Sequence, residues 1–165
     1  MPRDIPVGNG KLLVCFDKNY RIRDLYYPHV GQENHVSGNV FRFGISTGGR
    51  FSWVGEDWKK ELTYEEDTLV TNVSLYHQEL GLLLTCRDAV DFHENVFLRE
   101  VAVENLHADK RRIELFFCQD FDISGNSVGD TAAYDPEAKA IVHYKGSRYF
   151  LVSGLSGQSE EISQF

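Results

Sequence analysis

The sequence predicts an all-β fold, an antiparallel β-sandwich, and three observations predict it. Short apolar-rich runs are separated by turn residues roughly every 8 to 15 positions along the whole chain. Aromatic residues make up 13% of a chain with a single Met, and aromatic and β-branched side chains suit pleated, half-buried surfaces. No window of about 12 residues holds a 3.6-residue apolar stripe, so no helix is expected.

The elements follow in order. After Asn9-Gly10, the run Lys11 to Phe16 reads as a strand, the turn Asp17-Lys18-Asn19 reverses the chain, and Tyr20 to Tyr26 returns as a hairpin partner. Val40 to Ser46 sets Val40, Arg42 and Gly44 against Phe41, Phe43 and Ile45, a two-residue period. Gly48-Gly49 then turns the chain into Phe51 to Val54. Thr68 to His77 carries Leu69, Thr71, Val73 and Leu75 on one parity, and Gly81 to Val90 returns after Gln78-Glu79. Asn95 to Glu104 and Arg112 to Asp120 make another pair, and Ala132 to Tyr134, Ala138 to Tyr144 and Arg148 to Ser153 close the set. Strands joined by short turns imply antiparallel sheets, which pack face to face because each has one apolar face. One domain over 1–165 suits the length, with 157–165 reading as a frayed or cut end.

Composition excludes several functions. The net charge is -8 and the one basic run, Lys110-Arg111-Arg112, falls at an expected turn, so there is no basic field for nucleic acid. No apolar run approaches the roughly 20 residues of a membrane span, and Met1 to Pro6 lacks the core of a signal peptide. Cys15, Cys86 and Cys118 lie far apart in apolar stretches, which predicts buried free thiols and a cytoplasmic, reducing compartment.

The densest polar segment is Tyr26-Tyr27-Pro28-His29-Val30-Gly31-Gln32-Glu33-Asn34-His35, which follows a strand and cannot itself be one. So many hydrogen-bonding groups are costly to bury without partners. The loop therefore faces a sugar, docks on a neighbouring domain, or is knitted into its own. His29, Glu33 and His35 are metal-ligand types, but their spacing matches no compact site, so neither a metal nor another cofactor is expected.

Trp53 and Trp58 flank Gly55-Glu56-Asp57 and could stack on sugar rings, against the commoner role of aromatics as core. Asp88 and Asp91, with Glu94, could supply the two carboxylates of a glycosidase, against the ordinary reading of solvated groups at a strand end. No residue of the chain is assigned a catalytic role. Asp120-Phe121-Asp122-Ile123-Ser124-Gly125 echoes the start of a calcium loop but has Thr131 where the bidentate Glu belongs; the end of a strand is the better reading.

Ile5-Pro6-Val7-Gly8-Asn9-Gly10, followed by Ile22-Arg23-Asp24-Leu25 and the segment Tyr26 to His35, resembles the opening of the N-terminal domain of prokaryotic glycoside hydrolase family 15. Tyr64 with Asp67 to Thr71, Arg99 to Asn105 and Phe116 to Phe121 continue the resemblance, which spans about residues 3 to 155. The resemblance implies a "super-sandwich" preceding an (α/α)6 barrel, in glucoamylases, glucodextranases and some trehalases that act with inversion. Inversion needs a general acid and a general base; in that family both sit on the barrel, which has no counterpart here. The family domain is longer than 165 residues, so the resemblance also implies a sandwich cut short, with unpaired edges. The expected role is a non-catalytic module that docks on the barrel and shapes its entrance for α-linked glucosides. Tyr27, Pro28, His29, Gln32, Glu33, Asn34 and His35 are its contacts, Glu33 and His35 foremost. The rivals are a free-standing carbohydrate-binding module and a complete small enzyme using Asp88, Asp91 or Glu33.

Overall fold

The computed structural model describes residues 5–157. The chain opens with β1 (Ile5–Gly8), β2 (Leu13–Phe16), β3 (Ile22–Tyr26), β4 (Arg42–Thr47) and β5 (Arg50–Trp53). β6 (Lys59–Tyr64), β7 (Thr71–His77), β8 (Leu82–Val90) and β9 (Phe97–Asn105) follow. After β10 (Ile113–Cys118) and a 3-10 turn at Ile123–Gly125 come β11 (Thr131–Asp135), β12 (Ala140–Lys145) and β13 (Arg148–Val152).

Every strand pairing is antiparallel. The sheets run β1-β2-β3, β10-β4-β5, β11-β12-β13 and β6-β7-β8-β9. The fold is the expected all-β sandwich, and alternation explains it. Val73 and Leu75 on β7, with Leu82, Leu84 and Cys86 on β8, turn to one face and are fully buried. Val14 and Phe16 on β2 and Phe43 and Ile45 on β4 complete that core. At the β2–β3 turn the Asp17 carboxylate accepts the N–H groups of Asn19 and Arg21 and pairs with the Arg21 guanidinium at 2.6 Å. Tyr20 there takes a positive φ of 60°, held by its ring stacked on Phe16 at 5.1 Å and its hydroxyl bonded to Asp88.

Several details depart from the sequence reading: first, the run 112–120 was expected to pair with 95–104, but β10 pairs with β4 and β9 with β8. β1 and β6 were not anticipated, since Pro6 and the charged Lys59-Lys60-Glu61 mask two edge strands. The segment 120–125 is not a strand end: Ser124 has φ 59°, and the chain turns there with Ile123 buried. Cys15 and Cys86 are buried and in no disulfide, but Cys118 is only half-buried: among the described residues β10 pairs with β4 alone. The expectation for 157–165 lies, beyond Gly157, outside the described residues. Among those residues no helix is long and apolar enough to cross a membrane.

Candidate functional site

The polar loop leaves the end of β3 and folds back beside it. The Tyr27–Pro28 peptide is cis. The His29 carbonyl accepts the N–H groups of Gln32 and Glu33, and the Leu25 carbonyl accepts that of His35. Asn34 fastens the return: its Oδ1 accepts the N–H of Leu25 at 3.2 Å and of Val36 at 3.1 Å, and its Nδ2 donates to Asp24 at 2.9 Å.

His35 has no solvent exposure. The Ser124 N–H donates to its Nδ1 at 3.1 Å, so Nδ1 carries no proton; Nε2 does, and donates to the Tyr27 carbonyl at 2.6 Å. Burial lowers its pKa, opposed by the Tyr27 carbonyl, so the ring is neutral. Phe150 covers it at 4.8 Å and meets Tyr27 edge-on at 6.3 Å. The expectation of His35 as a contact to a neighbouring domain or substrate is corrected here: both nitrogens are spent inside its own domain.

Glu33 is half-buried and faces Arg148 on β13. Arg148 Nε and Nη2 donate to its two oxygens at 2.8 to 3.1 Å, a bidentate fork. These bonds hold the carboxyl below the usual carboxylate range. His29 Nε2 stands 3.9 Å from the same carboxylate, largely exposed. The crest from His29 to Gln32 is open to solvent, while Tyr27, Pro28 and Asn34 are half-buried beneath it. The sequence brought the loop forward but missed Arg148, 115 residues away from Glu33.

The other nominated groups lie elsewhere. Trp58 is 2% exposed, donates from Nε1 to Ser52 at 3.1 Å and packs edge-on against His77. A ring inside the core cannot stack on a sugar, which corrects that expectation. Trp53 is half-buried, with the Arg42 guanidinium 4.4 Å above its face, in a cleft of about 370 Å³ shared with Asn19, Arg21, Glu56 and Asp57.

Asp88 is 1% exposed, so its reading as a solvated carboxylate is also corrected. Its Oδ1 accepts from Arg99 Nε at 2.6 Å, and its Oδ2 accepts from Thr71 and Tyr20. Burial pushes the Tyr20 phenol far above its usual range. Asp91 caps the turn after β8, accepting the N–H of Glu94 at 2.7 Å and of His93 at 2.8 Å, which holds it below the usual range. A glycosidase acid must carry a proton near neutrality; Asp91 and Glu33 are held ionised and Asp88 is ion-paired. Among the described residues no group of three or more His, Cys, Asp or Glu side chains is placed to hold a metal.

No family model matches the chain, and no solved structure matches it. It is 28% identical over 159 residues to an uncharacterized glycosyl hydrolase of Methanocaldococcus jannaschii, covering 96% of this chain and 24% of that protein. The chain thus spans about a quarter of the length of that relative.

Proposed function

We propose that the chain is the non-catalytic N-terminal β-sandwich domain of a glucoamylase-like, inverting α-glucoside hydrolase, and that its 27–35 loop docks on and shapes the active-site entrance of a helical (α/α)6 catalytic domain. One observation carries this reading. The Glu33–Arg148 fork and the buried His35 clamp the base of the loop, while His29 to Gln32 are exposed at its crest. A polar crest on a rigid base is what precise contacts to a neighbour require. The similarity to a protein named as a glycosyl hydrolase, with about three quarters of its length outside the matched span, supports a partner domain in the same polypeptide. The buried thiol of Cys86, in no disulfide, supports a reducing, cytoplasmic setting.

The test is made in the full-length enzyme with His29→Ala and Gln32→Ala, two exposed positions whose loss leaves the clamp intact. We expect kcat/KM on maltooligosaccharides to fall on the order of tenfold with Tm unchanged, as misplacing an entrance contact does. Wild-type turnover in both variants refutes the docking role. A second reading, a carbohydrate-binding module, is favoured by the Trp53 cleft alone. Calorimetry with maltooligosaccharides checks it: binding by the isolated chain that is lost in Trp53→Ala establishes it.

A further inference from the structure

Lys145, the last residue of β12, carries its ammonium into the turn between β10 and β11. Its Nζ donates to the Ile123 carbonyl at 2.9 Å, to the Asn126 carbonyl at 2.5 Å and to Asn126 Oδ1 at 2.9 Å. Asp130 Oδ1 stands 3.3 Å from the same nitrogen. Four oxygens from three residues of one turn thus converge on a single positive charge. Ser124, Gly125 and Gly129 take positive φ, which lets the chain curl tightly enough for this convergence.

The shell holds one oxygen more than an ammonium can serve. An ammonium has three N–H donors, and the Ile123 carbonyl and the two Asn126 oxygens take them. Asp130 Oδ1 is left buried without a hydrogen bond among the described residues, while its Oδ2 accepts the Ile123 N–H at 3.1 Å. A spherical ion has no such limit, because it attracts every oxygen around it whatever the direction. Main-chain carbonyls, a side-chain amide oxygen and a carboxylate are the ligand types of hard cations such as Ca²⁺. The acidic positions 120 and 122 gave the sequence its echo of a calcium loop. The oxygens that converge come instead from 123, 126 and 130.

We propose that the 123–130 turn is a hard-cation site whose resident cation is the ammonium of Lys145, and that a dissolved calcium or alkali ion takes the site when that ammonium is removed. In the native chain the tethered charge makes the turn independent of dissolved metal. What the charge holds in place is a shelf for the polar loop. At the head of the turn the Asp122 N–H donates to the His35 carbonyl at 2.8 Å, and the Ser124 N–H donates to His35 Nδ1 at 3.1 Å. Lys145 is therefore a positioning residue for His35, acting through the backbone of the turn. The proposal does not depend on where the 27–35 loop docks or on what a longer protein hydrolyses.

Thermal melts of the wild type and two variants test it, in calcium, potassium or tetramethylammonium chloride at matched ionic strength. Lys145→Ala empties the shell and leaves room for an ion. Lys145→Met removes the charge but fills the space with an apolar stem. In tetramethylammonium chloride both variants melt about 5 °C or more below the wild type, since charge-assisted hydrogen bonds are lost. Calcium or potassium chloride returns most of that loss to Lys145→Ala and little to Lys145→Met, as an ion that binds only the folded state does. If Lys145→Ala is unfolded in tetramethylammonium chloride, refolding on addition of calcium or potassium, followed by circular dichroism, supports the proposal equally. A Lys145→Ala melt like that of the wild type overturns it. So does recovery no greater in Lys145→Ala than in Lys145→Met, or a Lys145→Ala chain that neither metal salt refolds.

Discussion

Arg148 closes on Glu33 with two nitrogens, fastening the loop after β3 to the start of the last strand of the described fold. The fork depresses the Glu33 carboxyl, so its contribution to stability is present above the ordinary carboxylate value and is lost as pH falls through the lower folded value. We expect the Tm difference between wild type and Glu33→Gln to be constant at neutral pH and to shrink below about pH 4.3, where the unfolded carboxylate protonates. Thermal melts from pH 7 to pH 3 check this. A difference that does not change with pH shows that the ionised fork contributes nothing. Both groups are partly solvated, so the effect is small and weakens with salt.

The buried His35 gives an acid limit at higher pH. Burial depresses its pKa, so the stability it contributes is complete above the unfolded value of about 6.5 and falls away as pH drops through the folded value. A proton on Nδ1 would also break the bond from the Ser124 N–H. Below about pH 6.5, urea midpoints of the wild type decline more steeply than those of His35→Gln, in which only the half-buried His143, also depressed by burial, still contributes to the decline. Parallel declines refute the role of His35.

The strands that alternation exposes, β7 and β8 above all, were legible because one contiguous inner face must be apolar along its whole length. β6 was not, since its Lys59-Lys60-Glu61 start faces water and its place is set by pairing with β7. The loop was legible by polar density alone. Its anchor was not, because nothing local marks Arg148 as the partner of Glu33. Asp88 looked like a surface carboxylate for the same reason: Arg99, which neutralises it, lies on the neighbouring strand. Trp58 misled because the polar residues before it suggest exposure, while its ring turns under the sheet beside His77.

Thiol chemistry separates the three cysteines. Burial pushes the Cys86 thiol up to about 12, Cys15 is equally enclosed, and Cys118 on β10 is only half-buried. Thiolate is the reactive form. A chromogenic disulfide reagent at pH 8 therefore titrates one thiol rapidly in the folded chain and three after denaturation. Three rapid thiols, or none, contradict this burial pattern.

The Asp88–Arg99 pair is the polar centre of the core, and its removal is the sharpest test of stability. The Arg99 guanidinium lies 4.7 to 5.6 Å from the centres of the Phe16, Tyr20, Phe43 and Phe97 rings, from both sides of the sandwich. Asp88 meets it at 2.6 Å and accepts from Tyr20 and Thr71 with its other oxygen. Asp88→Asn leaves a cation among aromatic rings with no counter-charge. Breaking a buried pair from one side costs about 3–5 kcal/mol, because the remaining charge stays desolvated. The solvated Asp91→Asn keeps an acceptor oxygen for its turn and changes stability little. Urea unfolding of the two variants compares them directly. The double replacement Asp88→Leu with Arg99→Met removes both charges and recovers much of the loss, as apolar substitutes for buried pairs do. If Asp88→Asn is as mild as Asp91→Asn, the pair is not what joins β8 and β9 to the rings opposite.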